Sequence, residues 1–145
     1  MKRWMKKTAA SVFAAVLLTF GLAACDDTPI YSRVSVDLTK MNSTMVYSEV
    51  SNMVNTPENY EGRTVRMQGS FAVYEGDGRN YYACIISDAT ACCQQGIEFV
   101  LAGENEYPKD YPAVGSEITV TGIFDTYKEG EQTYCQLIDA VMAKN

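Results

Sequence analysis

The chain is short, apolar enough to fold and acidic. Its 145 residues suit a single domain, and a hydrophobic fraction of 47% supports an ordinary core. Twelve basic against eighteen acidic residues give a net charge of −6, which argues against sequence-independent nucleic-acid binding because acidic surfaces repel phosphate backbones. The chain has no histidine, so the commonest general base and the commonest metal ligand are missing.

Residues 1–24 are predicted to be a signal peptide. A basic start is followed by a mostly apolar run from Ala9 to Leu22, which is shorter than the ~20 residues that a transmembrane helix needs. The next residues, Leu22-Ala23-Ala24-Cys25, resemble a bacterial lipobox, whose cysteine becomes the mature N-terminus and carries diacylglycerol on its sulfur. The resemblance implies that Cys25 anchors the protein in the bilayer, on the extracytoplasmic face of the cell membrane. A plain secretory peptide or a short membrane anchor is the alternative.

Residues 25–42 are predicted to be a lipid-anchored linker, and residues 43–145 a domain that begins with a helix. Ser43 or Thr44 is the predicted cap of this helix. The helix should stop at Asn55-Thr56-Pro57, because a proline pushes the preceding residue out of the α region. Apolar residues recur between these limits at helical spacing: Met45, Val46, Val50, Met53 and Val54.

From Arg63 onward the apolar period changes to two, which predicts five β-strands separated by turns. A glycine stands near the middle of the first and of the fourth strand, Gly69 and Gly122, as suits the sharp bends of a closed barrel. A shorter alternation at residues 34–38 predicts an edge strand or an extended tail. The five predicted strands are residues 65–73, 81–87, 97–101, 118–124 and 133–142.

The spacing of these strands resembles an OB-fold. The longest connection, residues 103–115, falls between the third and fourth strands, where an OB-fold usually places its helix. Two prolines in this connection, Pro108 and Pro112, make a long helix improbable, so the resemblance is to a shortened variant.

A wider resemblance covers residues 44–142. Residues 59–69 and 114–122 look like the beginnings of the first and fourth strands in bacterial OB-like domains, and residues 87–96 are the most specific part. The chain is similar to small lipoproteins of Gram-positive bacteria with an OB-like domain. This resemblance implies an all-β fold with one N-terminal helix and a five-stranded OB-like barrel, and it implies no activity.

Four cysteines remain beyond the lipobox: Cys84, Cys92, Cys93 and Cys135. Disulfides are one interpretation, because an exported domain permits them; Cys92 and Cys93 would then have separate partners, since a bond between neighbours closes a strained ring. A four-thiolate metal site, most simply for zinc, is the second, and Asp88 can replace one thiol. In the third interpretation, the cysteines are unpaired and are buried as small hydrophobic residues.

Catalytic chemistry is not indicated. A nucleophilic cysteine normally needs a neighbouring histidine, and the chain contains no phosphate-binding loop or dinucleotide fingerprint. The leading hypothesis is therefore a membrane-anchored extracytoplasmic binding module that is not an enzyme. It would bind a metal ion through its cysteine cluster or a partner protein of the envelope. The alternative is a structural or adaptor lipoprotein, stapled by disulfides, with no small ligand.

Overall fold

The computed structural model of the protein describes residues 33–144. The predicted signal peptide, the lipidation site at Cys25 and the first part of the linker lie outside the described residues. Within residues 33–144 no helix is long and apolar enough to cross a membrane. The elements are α1 (Ser43–Asn55), β1 (Val36–Asp37), β2 (Thr64–Gly76), β3 (Arg79–Ser87), β4 (Gln94–Leu101), β5 (Glu117–Glu129) and β6 (Gln132–Lys144).

The prediction of an all-β fold with one N-terminal helix is confirmed, but the predicted number of five strands is wrong. The sixth strand is β1, which pairs in parallel with the beginning of β2 through Val36 and Val65. It forms because the alternation at residues 34–38 places Val36 and Leu38 in the core while Asp37 stays half-buried.

The hydrogen-bonded pairings of five strands form a ring. They run from β2 to β3, β4, β6 and β5, and β5 pairs again with β2. The β4–β6 pair is parallel, and the other four pairs of the ring are antiparallel. Within β2, residues 64–70 pair with β5 and residues 70–76 pair with β3, so the strand exchanges one partner for the other near Gly69.

Gly69 allows a close approach of backbone that a side chain would prevent. A Cβ atom at this position would lie 2.3 Å from the carbonyl oxygen of Ile85 and 3.0 Å from the Cys84 Sγ. The predicted glycine at Gly122 has a similar role, because a Cβ there would lie 2.9 Å from the Ile138 carbonyl oxygen. Both glycines therefore stand where a neighbouring strand approaches too closely for a side chain.

Replacing Gly69 by alanine is expected to lower the free energy of unfolding by about 3 kcal/mol, because the new methyl group overlaps rigid backbone. Gly76→Ala in the same strand is the matched control. Its Cβ would meet only the movable side chain of Tyr81, at 3.2 Å, and we expect a loss of less than about 1 kcal/mol. Urea unfolding followed by circular dichroism measures both, and equal losses would contradict the explanation.

Helix α1 lies against β3, β4 and β6. Its buried side chains are Val50 and Met53, two members of the predicted apolar stripe. The helix ends at Asn55 as predicted, but its cap is Asn42 rather than Ser43 or Thr44, because the Asn42 side-chain oxygen accepts a hydrogen bond from the Met45 N–H at 3.0 Å. The position of α1 brings it beside the turn that joins β3 to β4.

Candidate functional site

The turn between β3 and β4, residues 88–93, is held by backbone hydrogen bonds and by one carboxylate. Asp88 N donates to the Cys93 carbonyl at 2.9 Å, and Ala91 N donates to the Asp88 carbonyl at 3.0 Å. The Asp88 Oδ1 accepts from the backbone N–H groups of Thr90, at 3.2 Å, and Cys92, at 3.0 Å. An aspartate at the start of a turn commonly binds the backbone ahead of it in this way, so Asp88 fixes the position of Cys92.

The second carboxylate oxygen of Asp88 faces the sulfur atoms. Its Oδ2 lies 3.2 Å from the Cys92 Sγ and 3.0 Å from the Thr90 hydroxyl, and the Cys92 Sγ lies 3.5 Å from the Cys93 Sγ. The donor atoms of Asp88, Cys92 and Cys93 all lie within 4.8 Å of one another. Both cysteines are exposed and Asp88 is half-buried, so the three donors form a cluster that solvent reaches.

These spacings resemble those between the ligands of one tetrahedral ion. With Zn–S distances of about 2.3 Å and a Zn–O distance of about 2.1 Å, neighbouring ligands lie about 3.8 Å apart for two sulfurs and about 3.6 Å apart for sulfur and oxygen. The corresponding distances at the turn are 3.5 Å and 3.2 Å. Small rotations of the exposed side chains would bring the three donors to one ion.

The ionisation of the cluster also suits a cation. The hydrogen bond from the Cys92 thiol lowers the pKa of Asp88, and the Thr90 hydroxyl lowers it further, so the carboxylate is charged at neutral pH. The hydrogen bond with Cys92 raises the pKa of Cys93, together with desolvation and the charge of Asp88. Cys93 therefore carries a proton at neutral pH, which a bound cation must displace.

One further residue contacts the cluster and another lies near it, and neither was predicted. Thr90 contacts the Cys92 Sγ at 3.2 Å through its hydroxyl, and an aspartate followed two residues later by a threonine is a local pattern from which this contact could have been predicted. Tyr47 of α1 lies near the turn: desolvation raises its pKa first, and the charges of Cys93 and Asp88 raise it further. No local signal connects Tyr47 to the turn, because only the packing of α1 brings them together.

The other two cysteines lie away from the cluster. Cys84 is fully buried, it pairs with Ile97 across β3 and β4, and burial raises its pKa to about 12. Cys135 is half-buried in β6, whose parallel pairing with β4 places Gln136 opposite Glu98 and therefore Cys135 beside Ile97. The Cys135 Sγ lies 3.8 Å from the Met53 carbonyl oxygen. Ile97 is four residues from Cys93, which along a strand is roughly 13 Å.

The fold therefore joins Cys92 and Cys93 with Asp88 and leaves Cys84 and Cys135 outside this group. All four of these cysteines carry free thiols. The separate disulfide partners expected for Cys92 and Cys93 are not found among residues 33–144. Cys84 matches the interpretation of a cysteine buried as a small hydrophobic residue.

Thiol labelling of the native protein is expected to separate these environments. Cys92 and Cys93 should react with iodoacetamide first, and Cys84 should react at least about 100-fold more slowly, because it is buried and its raised pKa keeps it protonated. Peptide mass mapping of timed samples measures the order. In urea the difference should disappear, and comparable native rates for Cys84 and Cys92 would refute the placement of Cys84.

A concavity of about 500 Å³ lies beside the aromatic part of the core, away from this turn. Its tyrosines pack on one another, with the rings of Tyr82 and Tyr111 stacked at 4.1 Å. Several of its polar groups already have partners, since the Tyr127 hydroxyl donates to Glu98 within the concavity at 2.7 Å and Gln136 donates to Asp125 outside it at 3.0 Å. The turn at residues 88–93 is therefore the better candidate site, because its donors converge on one point.

Comparison of the chain with protein-family models and with curated proteins found no match. The assignment of function therefore depends on the geometry of the Asp88, Cys92 and Cys93 cluster.

Proposed function

We propose that the protein is a lipid-anchored extracytoplasmic binding module, and not an enzyme, that holds one thiophilic cation at Asp88, Cys92 and Cys93. The observation that carries the proposal is the convergence of one carboxylate and two sulfur atoms within 4.8 Å on a single exposed turn. The lipid anchor at Cys25 would hold the module at the bilayer, since two acyl chains give stable attachment.

The domain is an OB-like barrel in this proposal. Its support is the ring of pairings among β2, β3, β4, β6 and β5, with β1 as an added edge strand. The longest connection in the ring, residues 102–116, lies between β4 and β5 and contains no α-helix. In such a barrel the candidate site occupies the turn between the second and third strands of the ring.

Zinc is the candidate ion because of the chemistry of the donors. Thiolates select soft or borderline cations such as Zn²⁺ over Mg²⁺ and Ca²⁺, which prefer all-oxygen sites. Two thiolates and a carboxylate supply three ligands, which leaves one tetrahedral position for water or for a side chain of an envelope partner. The binding of an ion and the binding of a partner protein are therefore compatible at this turn.

Zinc titration of the full chain in detergent tests the proposal. Cys25→Ser is included in every sample so that this thiol does not contribute, and the protein is fully reduced. We expect one Zn²⁺ per chain, measured by competition with a chromophoric chelator and by native mass spectrometry. Cys93→Ser should weaken binding at least about 100-fold, because one of the three protein ligands of the ion is lost.

Cys135→Ala is the matched control, because it removes a thiol that lies outside the cluster. It should leave zinc affinity unchanged within about threefold. A reduced protein that binds no zinc would refute the proposal and favour the adaptor without a small ligand. Equal losses in Cys93→Ser and Cys135→Ala would place the ion elsewhere in the chain.

A further inference from the structure

The two exposed sulfur atoms of the turn are neighbours in sequence and in space. The Cys92 Sγ and the Cys93 Sγ lie 3.5 Å apart, and both side chains face solvent. A covalent S–S bond is about 2.0 Å long, so the two atoms need to approach by about 1.5 Å. Rotation of the two exposed side chains, together with an adjustment of the backbone at residues 92 and 93, closes this gap.

The other thiols of the described chain are poor partners for this pair. Cys84 is fully buried in the core, and Cys135 is half-buried on β6 beside the Met53 carbonyl. Bonding either of them to the turn would require strands to separate, because both lie about four residues along the sheet from Cys93. Oxidation of the Cys92–Cys93 pair needs only a local change, since regular pairing resumes at Ser87 and Gln94.

We propose that Cys92 and Cys93 are a reversible modification site, which a disulfide oxidant of the compartment converts into a disulfide between these adjacent residues. The Cα atoms of adjacent residues are about 3.8 Å apart, whereas most disulfides join Cα atoms that are about 4.4–6.8 Å apart. The bond between neighbours is therefore strained. Strained, exposed disulfides are the easily reduced ones, so the modification is reversible by small thiols.

The reaction is a pair of thiol–disulfide exchanges. The thiolate of one cysteine attacks a sulfur of a low-molecular-weight disulfide, forms a mixed disulfide and releases one small thiolate. The thiolate of the second cysteine then attacks the protein sulfur of the mixed disulfide, forms the Cys92–Cys93 bond and releases the second small thiolate. The pair loses two electrons and two protons; the electrons reduce the small disulfide to two thiolates, which take up the two protons and become two thiols.

The modification controls the proposed ion site, and this part of the inference rests on the proposed function. A disulfide sulfur is a far weaker zinc ligand than a thiolate, so oxidation leaves Asp88 as the sole strong donor of the cluster. Zinc affinity should fall at least about 100-fold on oxidation and return after reduction. A bound zinc ion should in turn slow oxidation, because it occupies both thiolates.

The test uses the full chain with Cys25→Ser in detergent, incubated with oxidised glutathione in the absence of metal. After acid quenching, unfolding and alkylation, trypsin releases residues 80–109, which contain Cys84, Cys92 and Cys93. We expect this peptide to be two hydrogens lighter than its reduced form and to carry an alkyl group on Cys84 alone. Dithiothreitol should restore alkylation at the other two positions.

Cys92→Ser and Cys93→Ser are the matched controls, and each should abolish the loss of two hydrogens. Full alkylation of the wild-type peptide in excess oxidant would overturn the inference, as would a bond from the turn to Cys84 or Cys135. Oxidised protein that binds zinc as tightly as reduced protein would overturn the inference that oxidation regulates the ion site. A pair that oxidises in a chain that binds no zinc when reduced would support the modification site and refute the proposed function alone.

Discussion

Lowering the pH from 8 to 6 is expected to weaken zinc binding at least about 100-fold. Cys93 binds a cation only as the thiolate, and its raised pKa keeps the free thiol protonated across this range. Each proton that zinc displaces changes the affinity about tenfold per pH unit, so Cys93 alone accounts for about 100-fold over two units.

The direction of the pH dependence follows from which state of the site, metal-free or zinc-bound, holds the proton. The metal-free site binds a proton that the zinc-bound site has lost, so acid favours the metal-free site. Asp88 contributes little between pH 6 and 8, because its lowered pKa keeps it ionised there. Competition titrations at several pH values, with a chelator calibrated at each pH, give the slope of log affinity against pH.

Asp88→Asn is the control for this interpretation. It removes a charged ligand but keeps both thiols, so zinc should bind more weakly at every pH with the same slope between pH 6 and 8. An affinity that does not depend on pH would contradict ligation by Cys93. A slope that disappears in Asp88→Asn would assign the displaced proton to the carboxylate instead.

Replacing Phe71 by alanine is expected to lower the free energy of unfolding by about 3–5 kcal/mol. Phe71 is 1% exposed, and its ring centroid lies 5.7 Å from that of Tyr111, 6.1 Å from that of Phe99 and 6.2 Å from that of Tyr82. Alanine removes the ring from the centre of this aromatic cluster and leaves a cavity, so both burial and contact energy are lost. Urea unfolding measures the change as a shift of the midpoint at constant slope.

Tyr74→Ala in the same strand is the matched control. Tyr74 is also aromatic, but it is 55% exposed, so its removal should cost less than about 1 kcal/mol. The comparison separates the loss of a buried ring from the loss of an aromatic residue in β2. Similar losses in the two variants would mean that Phe71 does not occupy the core as described.

The local part of the candidate site could be predicted from the sequence. Asp88, Cys92 and Cys93 lie within six consecutive residues between two alternating runs, so one turn had to hold them together. What remained open was the direction of the side chains. The hydrogen bond from the Cys92 N–H to Asp88 Oδ1 spans Ala91, whose backbone is left-handed with a φ of 55°, and the residue type gives no reason to expect that conformation.

Most of the elements could be predicted from the sequence, because periodicity, prolines and glycines act over a few residues. The sequence predicted where α1 ends and where the strands of the ring run. It singled out Gly69 and Gly122 as bends, whereas the structure shows a close approach of neighbouring strands at both. It missed the number of strands, because it left residues 34–38 as either an edge strand or a tail, and the pairing of Val36 with Val65 joins residues far apart in the chain.

Which cysteines share a site depends on the tertiary structure. Cys84 lies in a strand that is apolar on both faces, so alternation could not assign its side chain to the core. The parallel β4–β6 pairing places Cys135 beside Ile97. The packing of α1 on the sheet places Tyr47 near the turn. Such contacts depend on strand register and helix packing, which are fixed by burying the whole core at once and not by any short stretch of sequence.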